Sequence, residues 1–508
     1  MTNATEKWAW EEFGQAQLGD KRRTDRLVEI AHVLAEQPTA SIPQASSDLA
    51  GLKATYRFFD NDEVTAQAIL QAHIKATQSR CAQQDLILAV QDTTLLDYTT
   101  HPATTGLGPL ASVNNRGLLV HTTVAFTRQG LPLGLLDQQV WSRKAASFAA
   151  LPDHKKRDLD NKESGRWLAS LAQLNELKAG CGEAVLVSVG DREADIYDLF
   201  IAKRVAGVEL LIRAAQDRRV KVKFKDGKAG AGAEEVQKLW GRVESQPISG
   251  KIGLDLAGRA GQAGRRAEVS LRYCDVQLAP PLYRAKEKLK SVTMWAVLGR
   301  EEAPPEGIAG LEWLLLNTQA VENEEAAEES LANYARRWGI ETWHKVLKSG
   351  CRIEARQLES SERLERCLSV YSVIAWRIMY LTMLGRSVGE VSCEAVFEQE
   401  EWQALYCHCK QSGKLPSEPP SLNQVIRWVG ELGGHLGRKG DGEPGVTVLW
   451  RGLSRLKDLT SMYQLLRPVQ AFKTRKVVGN DKPMVEARGR EIPYKNKKTL
   501  AGARVFFT

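Results

Sequence analysis

Cysteine is scarce, with eight in 508 residues. That scarcity points to reduced thiols in a cytosolic protein, not to a disulfide scaffold. The single cluster, Cys407-His408-Cys409, has no second ligand pair spaced to close a zinc site. No apolar run approaches the length that spans a bilayer. The opening "MTNATEKWAWEEFG" has no basic region followed by an apolar one, so a secretory leader is not expected. Internal repeats are absent as well. A charge excess is missing from most of the chain. The net +8 is contained in residues 467–508, where 11 Lys/Arg face 3 Asp/Glu. Bulk basicity is therefore no argument for nucleic acid, and local clusters must carry that case. The tail itself reads as a flexible basic arm suited to nonspecific phosphate attraction.

What remains is a globular composition, 43% hydrophobic and 26% charged, long enough for two to four domains. "LGDKRRTDRLVEIAHVLAEQ" reads as a helix capped by Asp20, with Leu27, Ile30, Ala31 and Leu34 as its apolar stripe. Arg22, Arg23 and Arg26 fall off that stripe. A second helical segment, "SSDLAGLKATYRFFDND", carries Lys53 and Arg57. Such basic helices either dock on phosphates or present a solvated face.

From about Gln84 the pattern turns to mixed α/β. "DLILAVQDTTLLDY" is a buried strand ending in polar residues. Two strands joined around Arg128-Gln129-Gly130 follow. "KESGRWLASLAQLNELKAG" is a helix closed by Gly180. "EAVLVSVGDREADIYDLF" is a strand running into a helix, and "VELLIRAA" is another strand. Runs such as "RAEVSLRYCDVQL" and "LEWLLLNT" then give a long β-rich interval, read as a subdomain inserted into the core. Beyond residue 341 the chain is helical again, with apolar stripes in "LERCLSVYSVIAWRIMYLTML" and "VLWRGLSRLKDLTSMYQLL".

Three acids stand out. Asp92 in "AVQDTT" and Asp191 in "LVSVGDREAD" each sit where an apolar strand turns polar, the place where ligand groups gather in an open α/β sheet. Two close carboxylates stay ionised only with a cation between them. Hard oxygen donors left open to water favour Mg²⁺ or Mn²⁺. Glu341 lies in "YARRWGIETWHKVLKSG", with Tyr334, Arg337, Trp338, His344, Lys345 and Lys348 at steps of three and four. On spacing alone it is either half of an ion-pair ladder with Lys345 or a third metal ligand beside something strongly negative. Asp195, one turn after Asp191, reads as a structural group.

Tyr334, Arg337, Glu341 and Lys348 at their intervals, with "GDREADIYDLF", "QDTT", "LGDKRRTDRL", "YRFF", "ESGRW" and "LEWLLL", resemble the DDE transposases of the Tn-five, or IS-four, kind. The resemblance runs in order from about residue 8 to 466. It implies a ribonuclease H-like, retroviral-integrase-like catalytic core over 71–355, with the β subdomain inserted at about 214–320. An N-terminal helical DNA-binding domain would occupy 1–70, a C-terminal helical dimerisation domain 356–466, and the basic tail 467–508. It further implies that Asp92, Asp191 and Glu341 hold two Mg²⁺ (or Mn²⁺) ions. Tyr334, Arg337, Lys345 and Lys348 would hold end-proximal phosphates. Trp313 would be an exposed platform for a base flipped out near a DNA hairpin. Arg22, Arg23, Arg26, Lys53 and Arg57 would grip the inverted-repeat ends. The partners would be double-stranded transposon ends, target DNA and a second copy of the chain, with no membrane, in a bacterial cytoplasm and on the nucleoid when DNA-bound. The tail has no counterpart in the family pattern. Two rival readings are a structure-specific nuclease on the same core and a non-catalytic DNA-binding regulator.

Overall fold

A computed structural model describes residues 7–46, 48–110, 114–144, 163–222, 235–256 and 264–466. The basic tail lies outside the described residues.

Five helices come first: α1 (Lys7–Phe13), α2 (Lys21–Glu36), α3 (Ile42–Ala45), α4 (Leu49–Asp60) and α5 (Ala66–Cys81). Asp20 caps α2 by accepting from the Arg22 amide, and Asp48 caps α4 by accepting from Gly51. Leu27, Ile30, Ala31 and Leu34 are all buried, as their spacing predicts. A buried charge group ties α1 to α5. Glu12 lies 2.5 Å from His73 Nδ1 and accepts from Arg80 Nη1 at 2.7 Å. Arg80 also donates to the Leu133 carbonyl, which links this helical part to the sheet.

The sheet begins with β1 (Leu86–Asp97), β2 (Gly108–Pro109), β3 (Arg116–Thr127) and β4 (Pro132–Trp141). After α6 (Gly165–Leu177) come β5 (Val185–Gly190), α7 (Tyr197–Ile201) and β6 (Val208–Arg213). β4, β3 and β1 are antiparallel neighbours; β1, β5 and β6 are parallel neighbours. Leu86 to Gln91 of β1 are buried without a break, as expected of a central strand covered on both faces. Helix α6 does not end at Gly180 as its sequence suggests. A 3₁₀ turn, Lys178–Cys181, continues it, and Gly182 at φ 58° takes the left-handed position that ends it.

The β-rich interval holds β7 (Arg219–Val222), β8 (Glu235–Lys238), α8 (Leu239–Glu244), β9 (Gly250–Leu256), β10 (Arg265–Leu278), β11 (Val292–Arg300) and β12 (Glu312–Asn317). β12 pairs with β6, so these strands prolong the central sheet instead of forming a detached layer.

Next come α9 (Glu324–Ala335), α10 (Trp338–Lys345) and a π-helical turn, Val346–Gly350. Four helices close the described chain: α11 (Ser361–Ser387), α12 (Gln399–Lys410), α13 (Leu422–Leu432) and α14 (Val446–Leu466). Helix α11 corrects the expectation about apolar runs, being long and apolar enough by length and composition to cross a bilayer. From Cys367 to Leu384 only Arg377 interrupts it. Most of its residues are buried, and it packs against α5, β4, α13 and α14 as a core helix.

Candidate active site

Strand register brings the two aspartates together. β1 pairs in parallel with β5 from Leu86–Val185 to Val90–Val189. Asp92 and Asp191 each follow the last paired residues, Val90 and Val189, by two positions, and they lie close enough that Asp191 raises the Asp92 carboxyl. Beneath them Gln91 Nε2 donates to Ser188 Oγ at 2.9 Å, locking the two strands just before they diverge. Each aspartate commits one oxygen to a nearby amide. Asp92 Oδ1 accepts from Thr93 and Asp191 Oδ1 from Glu193, both at 2.9 Å.

Glu341 arrives on α10, which packs on β1. The stretch from Tyr334 to Lys348 is not the single helix its spacing suggests. Tyr334 sits in the last turn of α9, the chain turns at Arg336-Arg337, and α10 gives way to the π turn. Lys348 lies within that π turn. Lys348 Nζ donates to the Leu95 carbonyl at 2.5 Å and lies 3.4 Å from Glu354.

Arg337 binds the acids into one cluster. Its guanidinium donates to Glu341, and Nη1 stands 3.8 Å from Asp92 Oδ2. Burial pushes the Asp92 carboxyl up to about 6; Arg337 opposes this, and Asp191 and Glu341 add to it by repulsion. Tyr334 is buried and interacts with Arg213, Arg337 and Asp191, with burial raising its phenol. The three sequence-predicted acids therefore share one cluster. Among the described residues, however, no three carboxylate, imidazole or thiolate groups converge closely enough to hold one ion. The donor chemistry of three carboxylates suits a hard divalent cation, and the Glu341 side chain is 36% exposed.

Sequence reasoning missed a layer of histidines behind this cluster. His344 is buried, its Nδ1 is 3.8 Å from Asp92 Oδ2, and burial pushes it down to about 3. His121 contacts Thr93 Oγ1 at 2.9 Å and Gln91 Oε1 at 3.4 Å, and burial likewise holds it at about 3. Both rings are neutral props for the end of β1. His344 sits one turn after Glu341, a signal that was available; His121 lies mid-strand in an apolar run and carried none.

The remaining candidates divide. Lys345 is exposed. Trp313 is not the exposed platform expected: it is 5% exposed, and its ring meets Tyr334 edge-on at 5.2 Å. β12 is covered on both faces, with every residue from Trp313 to Asn317 buried, so neither face offers an exposed platform. In the N-terminal helices Arg22 pairs with Asp20, Arg26 with Glu29, and Arg23 with Glu63 and the Leu18 carbonyl. Lys53 and Arg57, one turn apart on α4, are exposed beside the half-exposed Tyr56.

Two stretches outside this cluster match known families. Residues 5–64 match the transposase DNA-binding family, and residues 373–465 match the transposase Tn5 dimerisation domain. The two matches together support a transposase of the Tn5/IS4 kind. The matched ends correspond to α1–α4 and to the stretch from within α11 to α14. A transposase with these two parts binds DNA and acts as a homodimer. The acid cluster lies in the mixed α/β part between them.

Proposed function

We propose that this transposase is a DDE-type, cut-and-paste enzyme with a ribonuclease H-like core. The observation that carries the reading is the placement of Asp92 and Asp191 two residues beyond the last β1–β5 pair, with Glu341 joined to Asp92 through Arg337. The strand order β4-β3-β1-β5-β6, antiparallel on one side and parallel on the other, supports that core. Asp92, Asp191 and Glu341 would hold two Mg²⁺ or Mn²⁺ ions, whose chemistry is to activate the attacking oxygen and stabilise the leaving one.

The protein's own groups do the rest. Arg337 and Tyr334 bear on the same cleft as the acids and would orient a phosphate there. Water attacks the phosphorus at the element's end, the bond to the 3′ oxygen breaks, and a 3′-hydroxyl and a 5′-phosphate result. That hydroxyl attacks the opposite strand, closing a hairpin and releasing the flanking DNA. A second water opens the hairpin, and the same hydroxyl then attacks target DNA. Trp313 would reach a displaced base only after movement uncovers its ring. The exposed Met462, Leu465 and Leu466 at the end of α14 lie at the edge of the matched dimerisation stretch and suit contact with a second copy. The place of work would be the bacterial cytoplasm, on the nucleoid.

A joining assay tests this. An inverted-repeat duplex with a free 3′-hydroxyl, a target plasmid and Mg²⁺ should give strand-transfer product. Asp92→Ala should keep end binding and lose nicking, hairpin formation and joining. Cleavage without joining points to the nuclease reading. Binding without cleavage by the parent points to the regulator.

A further inference from the structure

A cavity of about 380 Å³ opens between the far end of β1 and the loop after the π turn. Asp97, Thr100 and His101 line one wall; Lys348, Arg352 and Glu354 line the other. Its carboxylates are already committed to the protein. Asp97 accepts from the Thr99 amide and hydroxyl at 2.8 and 2.5 Å and from Asn115 Nδ2 at 3.2 Å. Glu354 accepts from the Asp97 amide at 3.0 Å and draws Lys348 to 3.4 Å.

Lys348 is likewise held by the Leu95 carbonyl and Glu354, which leaves His101 and Arg352 for a ligand. His101 is 9% exposed, and its Nδ1 is buried with no hydrogen-bond partner. An unpartnered buried ring nitrogen is costly, and a polar ligand in the cavity would relieve it. Arg352 is exposed and adopts φ 49°, ψ 44°, a left-handed backbone that a long side chain rarely takes. Such strain persists where the surroundings enforce it, and functional sites are common among those places. Glycine would fit the backbone better, so the arginine is there for its side chain.

We infer that this cavity seats a phosphodiester of the DNA strand that passes through the active site. Arg352 supplies the charged fork and His101 Nδ1 a buried polar contact, while Lys348, held by the Leu95 carbonyl and Glu354, ties the Arg352 wall to β1. The inference rests on the transposase reading above and adds a second anchoring point to it. Five residues of β1 separate Asp97 from Asp92, about 17 Å of extended chain. At about 3.4 Å per nucleotide along a duplex, that is roughly five base steps. A strand held at both points has its scissile phosphate set in register over Asp92.

The test is the salt dependence of binding to a duplex carrying the inverted repeat. Each phosphate contact contributes about 0.9 to the slope of log K against log salt. Arg352→Gly should lower the slope by about that amount and weaken binding roughly tenfold at low salt. Arg352→Lys should restore most of the slope, and His101→Gln should weaken binding less than Arg352→Gly. Because glycine suits the left-handed backbone, Arg352→Gly should melt no lower than the parent. An unchanged slope in Arg352→Gly, with the parent still binding steeply, overturns the phosphate site and leaves the transposase reading intact. A loss confined to some base sequences at unchanged slope also overturns it, because a base would then be the ligand. Failure of the parent to bind the repeat overturns the reading on which the site rests.

Discussion

Glu341 accepts a hydrogen bond from Arg337, one helical turn before it. The same guanidinium stands 3.8 Å from Asp92. One fixed cation thus lies between two carboxylates that would otherwise repel, and Arg337 offsets that repulsion.

Arg337→Gln removes that screen. Without divalent ions the variant should lose about 1–3 kcal/mol of stability. Mg²⁺ should then restore more stability to the variant than it adds to the parent, since ligand binding stabilises the form that binds. Thermal melts with and without Mg²⁺ check this. An equal Mg²⁺ response in the two proteins contradicts the screening role.

Glu12 gives a pH prediction. Burial alone would raise its carboxyl, but His73 and Arg80 more than offset that and hold it at about 2, against an ordinary 4.5. Between those values the unfolded chain binds a proton that the folded chain does not. The stability this group confers is therefore present above about pH 4.5 and lost as pH falls toward 2. The stability gap between the parent and Glu12→Gln should shrink by about 2 kcal/mol between pH 6 and pH 3. Urea unfolding measures it, and a gap that does not change with pH refutes the assignment.

Trp313 should behave as a core residue. Trp313→Ala should cost about 3–5 kcal/mol, as expected for a buried aromatic, before any effect on DNA. Trp313→Phe should cost less and keep Tyr334 in place. Chemical denaturation separates this from a surface platform, whose loss would leave stability within about 0.5 kcal/mol.

The N-terminal cations should differ in proportion to their freedom. Lys53→Ala and Arg57→Ala should each lower the salt slope of end binding by about 0.9. Arg23→Ala, which breaks the Glu63 pair and the bond to the Leu18 carbonyl, should lower stability more than it lowers the slope. Filter binding across a salt series, paired with melts, distinguishes the two classes.

Much of this was legible in the sequence because it is periodic or local. The stripe Leu27-Ile30-Ala31-Leu34, the Asp20 cap and the polar ends of β1 and β5 follow from spacing alone. The approach of Asp92 to Asp191 followed from both lying just past buried strands. What was hidden depends on packing between distant segments. Helix α11 reads as amphipathic until its neighbours are seen to cover it on nearly all sides. Trp313 could face either way until β12 found β6 and Tyr334. The break at Arg336-Arg337 and the π turn leave no mark in residue spacing, yet Lys348 in that turn meets Glu354 and lines the cavity beside Arg352. His121 and Arg352 carry no motif and become visible only through their surroundings.

Iron-directed cleavage of the polypeptide tests the central claim most directly. Fe²⁺ replaces Mg²⁺ at oxygen-ligand sites, and with peroxide and ascorbate it cuts backbone close to the bound ion. The account predicts three metal-protectable cuts, near residues 92, 191 and 341, all lost together in Asp191→Asn. Cuts at only one of these segments, or none at any of them, would contradict a shared ion site.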